Sequence, residues 1–179
     1  MTDAPLRGIK VLDASQGIAG PYCGALLARY GAEVFKVEPP SGDWVRAMGS
    51  GAGGHSALSA VYNVGKRGMV LDLKLPDAVK LFLEMAAECD VVLQSSRPGV
   101  AERIGIGYDH VKACNPTVIY LSVSGFGDEG PYAARPCTDT VGQAFSGLMS
   151  NNIGMDGIPH KVDIPIVDVF TGLYGFQAV

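Results

Sequence analysis

The stretch IKVLDASQGIAGPYCGALLARYGAEVFKV, residues 9–37, decides the fold. Its opening residues, IKVLDA, are mostly apolar and sit between Gly8 and a turn cluster of Gly17, Gly20 and Pro21, so residues 9–14 read as a buried strand. Residues 22–30 place Leu26, Leu27 and Tyr30 on one face of a helix, and Gly31 stands where a glycine commonly ends one. Residues 33–37 form a second strand, closed by Pro39 and Pro40. Strand, helix and strand within about 30 residues make a βαβ unit, which belongs in a parallel sheet.

Outward from this unit the alternation continues. Residues 69–73 read as a strand, and residues 76–89 as an amphipathic helix with Val79, Leu83 and Ala86 on its apolar face and Pro76 in its first turn. A strand at 90–93, short helices at 100–104 and 108–114, and a strand at 118–123 follow. The fold class is therefore α/β: a Rossmann-like, doubly wound, mainly parallel sheet with flanking helices, expected as a single domain over residues 1–179. Residues 41–67 are Gly-rich and without periodicity, and read as one long functional loop. Later, a helix at 139–149 lies between loops at 125–136 and 151–165, and Asp168 follows an apolar, β-like stretch, residues 164–167, and opens a final helical run.

Composition narrows the function. Fourteen Lys plus Arg face eighteen Asp plus Glu, a net charge of −4, which argues against a general nucleic-acid or anionic-membrane partner. No apolar run approaches ~18 residues and the N-terminus lacks a signal-peptide pattern, so the expectation is a cytoplasmic protein with no membrane association. Cys23, Cys89, Cys114 and Cys137 are well separated and form no C-x-x-C, so neither a structural metal site nor a redox pair is expected.

Several motifs carry less than they promise. GSGAGG, residues 49–54, satisfies G-x-G-x-x-G but follows no strand, so no nicotinamide or flavin cofactor is expected from it. His55, His110 and His160 lie far apart and no G-x-S-x-G elbow is present. Asp168 reads either as a helix N-cap worth about 1 kcal/mol or as a nucleophile kept ionised by the helix dipole. Lys36, Arg46, Lys66, Arg67, Lys74, Arg97 and Arg103 fall mostly near strand ends, either as solvated charges or as contacts to ligand phosphates.

The blocks taken in order carry a resemblance. They are LRGIKVLDAS with AGP, LLARYGAEVFKVEPP with GDWVR, KRGMVLDLK, RPGVAERIGIGY, NPTVIYLSVSGFGDEGPYAARP, DTVGQAFSGLM and a late VDVFTG. The chain resembles the N-terminal portion of the class III CoA-transferase family (CaiB/BaiF type), which includes formyl-CoA transferase, carnitine CoA-transferase and α-methylacyl-CoA racemase. The resemblance implies Asp168 as the catalytic nucleophile, with Gly17, Ile18 and Asp139 as active-site neighbours. It implies a coenzyme A ester as substrate, with Lys74 and Arg103 at its adenosine-phosphate end, Leu73 and Ile104 near the adenine, and Ser95, Ser96 and Arg97 as further CoA-binding positions. No metal is implied.

Within that family Ser95 and Ser96 replace the commoner Asn-Phe, Pro39 stands where formyl-CoA transferase has an arginine, and Ile18 replaces a glutamine, which argues against oxalate or formyl chemistry. The racemase branch needs a histidine where this chain has Thr138, and proton transfer at carbon needs two groups of suitable pKa, so transfer is preferred to racemisation. Family members carry a second domain and a C-terminal return segment, absent here, and form interlocked dimers. The expectation is an acyl-CoA transferase using acyl-CoA and carboxylic acid substrates, as a homodimer or joined to a missing C-terminal portion. The alternative is a truncated, non-catalytic acyl-CoA-binding module or one piece of a split enzyme.

Overall fold

The computed structural model describes residues 4–49, 51–53 and 55–179. In chain order come β1 (Lys10–Asp13), α1 (Ala19–Arg29), β2 (Glu33–Glu38), the short β3 (Gly51–Ala52) and β4 (His55–Ser56), α2 (Ala57–Tyr62) and β5 (Arg67–Val70). Then follow α3 (Pro76–Ala87), β6 (Val91–Gln94), α4 (Val100–Ile104), α5 (Tyr108–Cys114), β7 (Ile119–Ser122), α6 (Asp139–Phe145) and α7 (Ile166–Ala178). The main sheet has the order β5-β2-β1-β6-β7, with every neighbouring pair parallel. Among the described residues no helix is long and apolar enough to cross a membrane.

Alternation along the strands sorts the core into two layers. Leu12 and Val92 point to one face with Phe82, Ala86, Ala101 and Val111 of α3, α4 and α5. Val11, Val91 and Leu93 point to the other with Cys23 and Leu27 of α1, and Phe176 of α7 packs against them. A strand covered on both faces must be apolar at successive positions, which is why IKVLDA and DVVL read as continuous apolar runs.

Several elements differ from the sequence reading, among them α6, which ends at Phe145 rather than running to residue 149, with a 3-10 turn following at Leu148–Asn151. α1 begins at Ala19, because Pro21 falls in its first turn, where the missing N–H has no intrahelical partner to lose. β5 ends at Val70, since its register follows β2, pairing Phe35 with Arg67 and Glu38 with Val70. The described residues of 41–67 form a crossover with secondary structure of its own rather than one loop: a 3-10 turn at Trp44–Ala47, the paired β3 and β4, and α2. Its elements are set by local polar caps, with the Asp43 carboxylate accepting from the Val45 amide at 3.1 Å and the Ser56 hydroxyl from the Ser59 amide at 3.0 Å. Such caps leave no hydrophobic period to read. Of the GSGAGG motif, Ser50 and Gly54 lie outside the described residues, and Gly51 belongs to the hairpin.

α7 lies directly on α1. Gly172 permits this approach, since a Cβ there would stand 2.5 Å from the Ala19 carbonyl oxygen. The contact brings the first turns of α1 and α7 together above the carboxyl ends of β1 and β6, where the strand order reverses. Open α/β sheets bind their ligands at that point.

Candidate active site

A cleft of about 510 Å³ opens at the reversal point. Ile18 and Ala19 at the start of α1, Trp44, residues 95–97 after β6, Ala133 and residues 135–138 before α6, Asp139 at its start, and Asp168 and Thr171 on α7 line it.

A buried polar network fixes the cleft floor. Asp13, fully buried at the end of β1, pairs with Lys66 at 2.8 Å and accepts the Ser15 amide at 3.0 Å. Lys36 donates to the Ser15 carbonyl and pairs with Asp43 at 3.1 Å. Asp43 in turn accepts the Gly17 amide at 3.0 Å, and Glu38 takes Arg46 in a two-pronged bond of 2.7 Å on each side. Burial pushes the Asp13 carboxyl up, but Lys66, Lys36 and hydrogen bonds from Lys66 and Ser15 more than offset it, holding the group below its ordinary range. Ser95 closes the other side, its hydroxyl accepting the Gln16 amide at 2.8 Å. Gly17 sits at φ +83° with the Trp44 indole against its Cα, so a side chain there would be both strained and obstructed.

Asp168 lies in the first turn of α7, partly buried. The helix is not capped by Asp168 itself. Asp139, from the start of α6, accepts the Val167 amide at 2.8 Å and the Asp168 amide at 3.3 Å. Its other oxygen takes the side-chain amide of Gln143 at 2.6 Å. Residues 164 and 165 therefore lead into the helix instead of forming a β-like stretch, and the N-cap reading of Asp168 is corrected. The Asp168 carboxylate receives no hydrogen bond from any described residue. Burial, and then the charge of Asp139, push its pKa up to about 6. The helix dipole thus does not dominate, although at neutral pH the group remains mostly ionised. Burial, and then the charge of Asp168, also raise the Tyr62 phenol. The Cys137 thiol is raised in the same way, by burial, Asp168 and Asp139, and stays protonated.

The other sequence candidates divide. Ile18, Asp139, Ser95, Ser96 and Arg97 share the cleft with Asp168, and Gly17 lies just beneath it. Leu73 and Ile104 pack against the α3–α5 layer, while Lys74 and Arg103 are exposed, and none of these four lines the cleft. Lys36 and Lys66 are neither solvated nor available to phosphates, with side chains only 2% and 1% exposed in ion pairs. Arg67 pairs with Glu33 at the sheet edge. Thr138 caps α6 through its hydroxyl, and no histidine lines the cleft. Sequence reasoning passed over Trp44, Arg135 and Cys137, which line the cleft. Trp44 and Arg135 lay inside quoted blocks, but nothing in their spacing tied them to Asp168.

Comparison with known proteins fits this geometry. The family model for CoA-transferase family III matches residues 6–179. The chain belongs to CoA-transferase family III. It is 38% identical over 183 residues to a succinate–glutarate CoA-transferase of Agrobacterium fabrum, covering 98% of this chain and 46% of that protein. It is also 38% identical to an acetyl-CoA:oxalate CoA-transferase of Acetobacter aceti, again covering 98% of this chain and 46% of the relative. The crystal structure of a CaiB/BaiF family protein from Brucella suis superposes with a TM-score of 0.92 at 36% identity, over 99% of this chain and 48% of that one. This family III chain therefore spans about half the length of the relatives it matches.

Proposed function

We propose that residues 1–179 are the CoA-binding domain of an acyl-CoA transferase in which Asp168 is the covalent nucleophile. The observation carrying this is a carboxylate with no hydrogen-bond partner, raised to about 6 and held at the reversal point of a parallel sheet. Such a group is ionised at neutral pH, yet more basic and less solvated than a surface aspartate, which favours attack on carbon.

In the reaction, an Asp168 oxygen attacks the thioester carbon of the donor and the carbon–sulfur bond breaks, giving a mixed anhydride and CoA thiolate. The thiolate attacks the aspartyl carbonyl and expels the donor carboxylate, leaving an aspartyl–CoA thioester. An acceptor carboxylate attacks that thioester and releases the thiolate, which then takes the acceptor acyl group and frees Asp168. α1 starts without a side-chain cap, so its first-turn amides, beside Ile18 and Ala19, are available to the oxyanions. The Gly17 amide, already taken by Asp43, is not. Ile18 and Trp44 give the cleft apolar lining, with Val45 and Tyr62 packed behind Ile18, which would help keep water from the anhydride.

Intact-protein mass spectrometry after incubation with acyl-CoA esters tests the reading. A CoA-sized or acyl-sized adduct, lost in Asp168→Ala and released by hydroxylamine, is expected. Absence of any adduct, with CoA still bound, would favour a non-catalytic CoA-binding module.

A further inference from the structure

We propose that Gln143 is a positioning residue for Asp168: it holds the Asp139 carboxylate on the first-turn amides of α7 and thereby keeps those amides from Asp168 itself. The role rests on Asp168 being the reacting group. Gln143 and Asp139 stand four positions apart on α6, on one face of the helix. The Gln143 side chain is wholly buried, and both of its polar atoms are hydrogen-bonded. Nε2 donates to Asp139 Oδ2 at 2.6 Å and to the Val162 carbonyl at 3.1 Å, with the Ile164 carbonyl at 3.4 Å, and Oε1 accepts the Val162 amide at 2.7 Å. Acceptors surround the nitrogen and a donor faces the oxygen, so the amide group has one orientation, and a carboxylate could not serve in its place.

The bond to Gln143 decides what the other Asp139 oxygen does. With Oδ2 held, Oδ1 is aimed at α7 and accepts the Val167 and Asp168 amides at 2.8 and 3.3 Å. Those amides are donors that a first-turn aspartate could take for itself, and donors at a helix N-terminus stabilise a carboxylate. Because Asp139 occupies them, Asp168 keeps a free carboxylate beside a like charge, and its carboxyl is raised by burial and then by Asp139. The other ionisable neighbours do not set this balance. Tyr62 of α2 and Cys137 before α6 are themselves raised, by burial first, and stay neutral where Asp168 titrates. Tyr22 of α1 lies against Gly172, and Arg97 and Arg135 line the same cleft, yet the Asp168 carboxyl remains raised in their presence. Gln143 does not line the cleft, so it acts through Asp139.

The test uses the 179-residue chain and Gln143→Met, which keeps the bulk of the side chain and removes its hydrogen bonds. NMR titration of the Asp168 carboxyl carbon, which needs no turnover, should give a midpoint near 6 in the wild type and one shifted toward the ordinary 3.8 in Gln143→Met. Asp139→Asn should produce a like shift, and Gln143→Met should add little to it in the double variant. With acetyl-CoA, succinyl-CoA or octanoyl-CoA at saturation, adduct formation should slow about tenfold or more in Gln143→Met, while affinity for the ester stays within about twofold. An unmoved midpoint in a folded Gln143→Met, or a shift that persists in full in the double variant, overturns the proposal and leaves Gln143 as a loop anchor. Should Gln143→Met show no melting transition, the wild type decides. Gln143 side-chain amide protons protected from exchange along with the Val167 and Asp168 amides uphold the proposal; exchange as fast as an exposed glutamine's overturns it. The two readings fail separately: a shifted titration, with no hydroxylamine-labile adduct in the wild type from any of the three esters, refutes the nucleophile and leaves the positioning. A wild-type adduct with an unmoved titration does the reverse.

Discussion

Asp168 is under opposed influences, and pH reveals their balance. Its carboxyl ionises near 6 in the folded chain against an ordinary 3.8. Adduct formation should therefore rise with pH to a midpoint near 6, and Asp139→Asn, which removes the like charge, should move that midpoint down; a rate profile from pH 4.5 to 8 checks both. The same shift has a cost in stability. Between the two pKa values the folded chain binds the extra proton, so stability falls as pH rises through that window. Asp168→Asn should stabilise the protein at pH 7 by about 1 kcal/mol after screening by solvent, with no gain below pH 3.8, measurable by urea melts at both pH values. Lys66 shows the converse. Lys66→Met strands Asp13 as a buried, unpaired charge and should cost about 3–5 kcal/mol, part of which Asp13→Asn restores in the double variant.

At the scale of elements, the approach of α7 to α1 positions Asp168, the proposed nucleophile. Gly172 lies about one turn beyond Asp168, and an added methyl there meets the Ala19 carbonyl oxygen at 2.5 Å. Gly172→Ala should cost about 1–3 kcal/mol through overpacking. It should also slow adduct formation at least tenfold, because a shift of the helix misplaces the carboxylate; thermal melts and the adduct assay read the two effects separately. α6 meets α7 through the Asp139 cap and the close approach of Gly142 to Val167, and Gln143, fully buried, ties α6 to the preceding loop, donating to the Val162 carbonyl at 3.1 Å and accepting the Val162 amide at 2.7 Å.

Across the whole molecule, stability is unevenly distributed. Every fully buried apolar side chain among the described residues precedes residue 112, mostly in the sheet and the helices flanking it, with Val45 in the 3-10 turn of the crossover. Residues 125–165 are held by caps, by Gln143 and by a small cluster of Phe126, Tyr132 and Phe145 at the surface rather than by a buried core. Hydrogen exchange should accordingly be slowest in β1 and β6 and fast across 125–165. Binding of a CoA ester should slow exchange selectively at 133–139 and in the first turn of α7, and a uniform slowing would argue against a ligand seated in this cleft.

The order of strands and helices was legible because each central strand is buried on both faces and each long helix on one, so residues such as Val11, Leu12, Val91 and Val92 write the pattern directly into the sequence. Asp168 drew attention in the sequence through the VDVFTG block and the resemblance it belongs to. Other features were decided only by tertiary structure. The Asp139 cap on α7 spans 28 positions, the Lys36 and Lys66 ion pairs lie inside what reads as surface charge, and Arg135 meets the Asp168 cleft only through folding. Burial periodicity is local and repeats along the chain, whereas a hydrogen bond or ion pair between distant segments depends on where the fold places two single residues.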